Sequence, residues 1–216
     1  MTVFYAVGKA ITVPLAKGLW RPTITGRDNI PRSGGVILAS NHLSFIDSFA
    51  IPIASPRPVS FLAKSDYFTG TGVSGAIRRG FFVGSQAIPV DRHSSRAAQE
   101  SLELALEVLR EGRAFGIYPE GTRSRDGRIY RGRTGVAWLA LTAGVPVVPV
   151  GLVGTDKVQP VGAKLPSLAK VRVAFGTPIS PQRYAAMPAG RARRELTDEI
   201  MLAIATLSGQ ERVDAY

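Results

Sequence analysis

Six short stretches of this chain are apolar or nearly so from end to end: Val36-Ile37-Leu38-Ala39, Val59 to Ala63, Ala87 to Val90, Ala114 to Tyr118, Val145 to Val150 and Val171 to Phe175. A strand with one wet face alternates polar and apolar residues, so runs of this kind predict strands buried on both faces. Segments with helical spacing lie between them. His42 to about Ala54 reads as a turn and short helix, and 72–80 as a further helix. Ser94 and Ser95 cap the clearest helix, which runs to about Arg110 with Leu102, Ala105, Leu106 and Leu109 on one face. Thr134 to Ala143 and Arg191 to about Leu207 complete the set, with Arg21 to Pro31 a short strand and turn and Pro119 to Gly132 a long loop. Alternation of strands and helices with all-apolar strands predicts a single α/β domain over residues 21–216. Its sheet is largely parallel, mixed, and covered by helices on both faces. With 216 residues the chain buries a full core.

Residues 1–20 stand apart as an amphipathic N-terminal membrane-contact segment. Phe4, Ile11 and Leu15 share one helical face, with Lys9 and Lys17 opposite. Two readings fit that pattern equally: a helix lying on a bilayer surface, or one packed on its own domain. The lysines and Pro14 make it a poor membrane span, and no secretory signal is legible. The longest uncharged run, Thr134 to Thr155, is cut by Gly144-Val145-Pro146, so no transmembrane helix is predicted. The absence of cysteine excludes disulfides, thiolate metal sites and a cysteine nucleophile. A formal net charge of +11 calls for an anionic partner. Nucleic acid is disfavoured, because the arginines concentrate in a Gly/Thr/Ser loop rather than along a basic stripe interleaved with aromatics.

Only two histidines occur, and His42 follows the first core strand with Asp47 five residues on. In a continuous helix that spacing is about 500°, some 140° off-face, so the two side chains meet only if His42 lies in a turn and Asp47 in the first turns of the helix. Ser40 and Asn41 offer side-chain caps to start it. A carboxylate that fixes the tautomer of an imidazole is what a general base needs. Arg92 ends the strand Ala87 to Val90, and Lys64 follows the strand Val59 to Ala63. After a further strand comes Pro119-Glu120-Gly121-Thr122-Arg123-Ser124, which combines a glycine, hydroxyls, backbone amides and an arginine, the components that hold a phosphate. Five arginines and one aspartate lie between Arg123 and Arg133, the strongest local positive field of the chain.

In this order and spacing the segments resemble the glycerolipid acyltransferase family, specifically the 1-acylglycerol-3-phosphate (lysophosphatidic acid) acyltransferases. The motif Asn-His-x-Ser-x-x-Asp is matched by Asn41, His42, Ser44 and Asp47; the second motif by Ile88 to Arg92; Pro-Glu-Gly-Thr-Arg-Ser in full by residues 119–124; and a Val/Ile-Pro block by 145–150. The resemblance implies that His42 is the general base and that Asp47 holds and polarises it. It implies that Arg92, Glu120, Gly121, Thr122 and Arg123, with Lys64 as a weaker candidate, bind the glycerol phosphate. Ser44 reads as a cap or turn residue in preference to a nucleophile, and Glu120 as either a structural loop residue or a direct contact. The implied reaction moves a fatty acyl group from acyl-CoA or acyl carrier protein to lysophosphatidic acid, giving phosphatidic acid, with no cofactor or metal. The enzyme would sit at an anionic membrane surface, peripheral or monotopic on the cytoplasmic face. Acylation of another lysophospholipid or of glycerol 3-phosphate is the near alternative, and a non-catalytic basic lipid-binding protein the distant one.

Overall fold

The segment Val36–Ser40 has no polar side chain until its last residue, and all five residues are buried. It forms strand β2 in the computed structural model, which describes residues 14, 18, 20–64, 88–90, 97–160, 163 and 165–216. The strands in chain order are β1 (Thr23–Thr25), β2 (Val36–Ser40), β3 (Val59–Ser60), β4 (Leu62–Lys64), β5 (Ile88–Val90), β6 (Ala114–Ile117), β7 (Val147–Val153) and β8 (Arg172–Phe175). Six of them make one sheet in the order β1-β8-β7-β2-β6-β3, while β4 and β5 form a separate parallel pair. Every pairing in the main sheet is parallel except β7 with β8. This is the mixed, mostly parallel sheet that the apolar runs predict.

Successive residues of β2 serve opposite faces, as the pleat requires. Ile37 and Ala39 enter a core with three helices: α2 (Ala97–Arg110), α3 (Gly135–Ala143) and α5 (Ala189–Ser208). Val36 and Leu38 enter a second core with Ile51 and Ala54 of α1 (Asp47–Ala54) and Val158 of α4 (Thr155–Val158). On α2 the expected stripe is confirmed, with Ala105, Leu106 and Leu109 buried, joined by Val108. Helix α3 buries Val136, Ala137, Leu139 and Ala140, and stops at Gly144, whose φ of +65° favours glycine. The uncharged run from Thr134 to Thr155 is thus a buried helix followed by a buried strand. Among the described residues no helix is long and apolar enough to cross a membrane.

The expected strand over 59–63 is corrected. It divides at Phe61: β3 joins β6 in the main sheet, and β4 pairs with β5, Lys64 opposite Val90. At the break the Phe61 ring turns over Gly116 of β6, so closely that a Cβ on that glycine would lie 2.1 Å from it. One short element escaped the sequence reading, the helix α4. The helix expected over 72–80, the caps Ser94 and Ser95, and the segment 1–13 lie outside the described residues.

This topology selects one end of the sheet. Strands β2 and β6 are parallel neighbours, with Ala39 opposite Ile117. The chain leaving β2 enters α1 on one face, whereas the chain leaving β6 enters α3 on the other. Adjacent parallel strands whose connections depart to opposite faces open a crevice beyond their carboxyl ends. Both site segments expected from the sequence, the turn at His42 and the loop at Pro119, open from those two ends.

Packing at Gly116 is testable. Gly116→Val should displace Phe61 and cost about 1–3 kcal/mol as an overpacked core position, lowering the thermal midpoint by roughly 2–12 °C. Gly190→Ala, in the first turn of α5 where a Cβ meets nothing within 4 Å, should leave the midpoint unchanged or raise it. Calorimetry on the two variants separates a steric requirement from a general intolerance of substitution.

Candidate active site

Where β2 ends, Asn41 continues its work with a side chain. Its Oδ1 accepts the Leu152 amide at 2.8 Å and its Nδ2 donates to the Leu152 carbonyl at 2.9 Å. A fully buried amide thereby stands in for one more rung of the β2–β7 ladder while the backbone turns away. The same Nδ2 donates to Gln210 Oε1 at 2.7 Å, and Gln210 Nε2 donates to the Gly127 carbonyl at 2.8 Å. Asn41 is therefore a clamp, not the helix cap expected of it; helix α1 has no side-chain cap at Ile46.

The start of α1 is organised from inside the helix. Asp47, completely buried, turns its Oδ2 back onto the turn before it and accepts the amides of Leu43 at 2.7 Å and Ser44 at 2.8 Å. The carboxylate also sits at the positive end of the helix dipole. The third partner of Oδ2 is Nδ1 of His42, at 2.8 Å. His42 lies in the turn and Asp47 at the first helical residue, the arrangement that the five-residue spacing required. Because two amides already donate to that oxygen, Nδ1 carries the proton and donates as well. The lone pair of the imidazole is then on Nε2, on a side chain 17% exposed.

The ring of His42 rests on Tyr118, centroids 3.9 Å apart and planes within 10°. Tyr118 stacks in turn on Phe61 at 5.6 Å, which is the ring accommodated by Gly116. The Tyr118 hydroxyl bonds to Ser48 Oγ at 2.9 Å. Burial first, and the nearby Asp47 charge second, push its pKa well above the ordinary tyrosine value, so this ring stays neutral beside the histidine. Tyr118 was legible only as the last residue before the third motif; registering β2 against β6 would have placed it beside His42.

Residues 119–133 form the loop from β6. The Ser124 amide donates to the His42 carbonyl at 2.8 Å, tying loop and turn together directly. Glu120 is buried, and its Oε2 accepts the Tyr130 amide at 3.0 Å. Burial raises its pKa, partly offset by the amides of Tyr130 and His42. Its Oε1 is buried without a hydrogen-bond partner. Gly121 has φ +76°, and the Arg133 side chain lies across it, with Nε 3.1 Å from where a Cβ would stand. The loop neck is closed by the Arg133 amide on the Pro119 carbonyl at 2.8 Å.

Two of the five loop arginines are engaged: Arg128 with Asp126 at 2.7 Å and Arg131 with Asp214 at 3.7 Å. Bonds from Tyr130 and Arg128 hold the Asp126 carboxyl far below the usual carboxylate range. Arg123, Arg125 and Arg133 are exposed and make no ion pair with any described residue, and Thr122 is exposed beside them. Arg133 entered the sequence reading only as the end of the arginine-rich loop and not as a site residue, and Gln210 had no signal at all beyond following the Gly209 helix stop.

Three candidates remain. Lys64 ends β4, in the pair whose other strand, β5, runs toward Arg92; Arg92 itself lies outside the described residues. Ser44 is buried, its Oγ donating to the Gln159 carbonyl at 2.8 Å, a turn-fixing role. No group of three His, Asp or Glu able to hold a metal occurs among the described residues.

These features have counterparts in known proteins. The Acyltransferase family model matches residues 21–153. The chloroplastic 1-acyl-sn-glycerol-3-phosphate acyltransferase BAT2 of Brassica napus is 30% identical over 162 residues, covering 74% of this chain and 45% of that one. The 1-acyl-sn-glycerol-3-phosphate acyltransferase of Bacillus subtilis is 24% identical over 179 residues, covering 82% of this chain and 83% of that one. The fold is similar to the crystal structure of the 1-acyl-sn-glycerophosphate (LPA) acyltransferase PlsC from Thermotoga maritima. The TM-score is 0.66 at 22% identity, over 96% of this chain and 83% of that chain. The chain spans about half the length of several curated relatives that it matches. More than half of its residues fall within the family match, which takes in His42, Asp47 and the whole 119–133 loop; the chain belongs to the Acyltransferase family.

Proposed function

We propose that this chain transfers a fatty acyl group from a thioester donor, acyl-CoA or acyl carrier protein, to the free hydroxyl of lysophosphatidic acid, producing phosphatidic acid at an anionic membrane surface. The observation that carries the reading is the bond from the Ser124 amide to the His42 carbonyl. It sets side by side an imidazole with a free Nε2 and a loop with three exposed arginines that pair with no described carboxylate, the two functions that an acceptor with both a hydroxyl and a phosphate calls for. The relatives named as 1-acyl-sn-glycerol-3-phosphate acyltransferases support the choice of acceptor.

The chemistry follows from that placement. The acceptor hydroxyl gives its proton to Nε2 of His42 as its oxygen attacks the thioester carbonyl; the tetrahedral adduct collapses by breaking the C–S bond, and the thiolate takes the proton back from the imidazolium. Asp47 Oδ2 holds the ring and stabilises its cationic state, and the neutral Tyr118 face beneath it adds a cation–π contribution of about 0.5–2 kcal/mol. A thiol is already a good leaving group, so the base carries the proton transfers and the step needs no Lewis acid. Arg123 and Arg133, with Thr122 and the loop amides that follow Gly121, take the phosphate and so position the hydroxyl at the base. Lys64 and Arg92 are assigned to the same phosphate, and Glu120 to bracing the loop through Tyr130. Ser44 spends its hydroxyl on Gln159, which favours direct attack by the acceptor over an acyl-enzyme.

His42→Ala should lower kcat by about 10²–10⁴-fold with an unchanged thermal midpoint, measured by thiol release from acyl-CoA with lysophosphatidic acid. Activity within a few-fold of the parent would place the base elsewhere. Arg123→Ala and Arg133→Ala should each raise KM for the acceptor by about 10- to 100-fold, the loss of one charge-assisted hydrogen bond, and leave KM for the donor in place. Mixed with donor alone, the enzyme should release no stoichiometric burst of thiol; a burst would restore Ser44 or another residue as nucleophile.

A further inference from the structure

Two large apolar side chains stand out on the surface: Leu165 is 80% exposed and Leu168 75%. They lie between α4 and β8, and the described residues around them are tightly held. The Ser167 amide donates to the Val158 carbonyl at 2.6 Å and the Ala163 amide to the Pro160 carbonyl at 3.0 Å. Gln159 Nε2 reaches the Ala163 carbonyl at 3.2 Å. The leucines are thus exposed on a loop anchored at both ends.

The two anchors are informative. On one side Ser44, in the turn that carries His42, donates to the Gln159 carbonyl. On the other, Trp20 donates its indole N–H to the Ser167 carbonyl at 2.9 Å and packs with Ala169 against the second core. Trp20 is the last residue of the N-terminal segment expected to contact a membrane, and its indole is tied to Ser167. Between Lys157 and Arg172 the sequence holds four cations and no carboxylate. Lys157 and Lys170 are exposed, and the Thr23 amide on the Val171 carbonyl brings exposed Arg21 alongside Lys170. Asp156, on the first turn of α4, is the one acidic neighbour in that stretch of chain.

We propose that the segment 165–169 is a membrane-docking element that presses Leu165 and Leu168 into an anionic bilayer and so holds the His42 turn at the lipid surface. Two leucines ringed by lysine and arginine, next to an interfacial tryptophan, match a bilayer boundary in both polarity and charge. A protein partner of opposite charge would offer carboxylates at the rim, but it would not explain why the loop is bonded to the turn that must receive a lipid. The proposal deepens the reading given above, since a lysophospholipid acceptor reaches Nε2 from the bilayer.

The test uses the full chain with Leu165→Ser and Leu168→Ser combined. Four quantities are read: co-sedimentation with vesicles of phosphatidylcholine and phosphatidylglycerol in equal parts, the thermal midpoint, the oligomeric state by size-exclusion chromatography with light scattering, and thiol release with a short-chain, monomeric lysophosphatidic acid without vesicles. The expected result is a loss of vesicle partitioning of about tenfold or more, an unchanged midpoint, and unchanged turnover of the monomeric acceptor. Unchanged partitioning overturns the proposal. So does a lowered midpoint, which would show that residues 1–19 of the chain cover the leucines, or a shift from dimer to monomer, which would show a self-association surface. If the parent binds vesicles through these leucines yet releases no thiol with any lysolipid, the docking element stands and the enzymatic reading falls.

Discussion

One carboxylate oxygen, Oδ2 of Asp47, holds the centre of this molecule together. A buried charge without partners is expensive, and Asp47 offsets that on Oδ2 alone, accepting from the amides of Leu43 and Ser44 and from the His42 ring, while its buried Oδ1 has no hydrogen-bond partner. Those bonds accomplish three things at once. They terminate the extended run of β2, start helix α1 at the favourable end of its dipole, and fix the tautomer that leaves Nε2 of the imidazole free. Turn, helix start and imidazole orientation share one acceptor, so loss of the Asp47 carboxylate disturbs all three, whereas loss of the ring leaves the two amide bonds in place.

The sheet supplies the rest by adjacency. Parallel pairing of β2 with β6 and β7 delivers three segments distant in sequence to one edge: the His42 turn, Tyr118 with its arginine loop, and the Leu152 backbone that Asn41 clamps. Gly116 clears space for Phe61, Phe61 backs Tyr118, and Tyr118 backs His42. Gln210 then stitches the C-terminal residues to both walls, through Asn41 and through Gly127. The loop's charge balance follows similar economy: Asp126 and Asp214 engage Arg128 and Arg131, and Arg123, Arg125 and Arg133 are left exposed.

What the sequence revealed and what it hid divide along physical lines. The strand runs, the α2 stripe and the His42–Asp47 geometry were legible because they depend on local periodicity and on a spacing that allowed one solution. The parallel topology followed from the doubly apolar strands. The break at Phe61 was not legible, since it depends on which strand receives the ring, and neither was the clamp at Asn41, whose partners are more than a hundred residues away. A polar residue before a helix reads locally as a cap; its buried setting made it a rung of the sheet. Glu120 shows the same ambiguity: its Oε2 braces Tyr130, the structural role, and its orphaned Oε1 leaves the direct-contact role available.

The central claim is that His42 and Asp47 act as one unit, and a double-mutant cycle on kcat tests it directly. His42→Ala, Asp47→Asn and the double variant would be compared on acyl-CoA and lysophosphatidic acid at matched folded fractions. Residues that act as a unit lose most of their effect with the first substitution, so the double variant should fall within about threefold of His42→Ala alone. If the two losses instead multiply, Asp47 works independently of the imidazole, and the bond between them does not carry the catalysis argued from it.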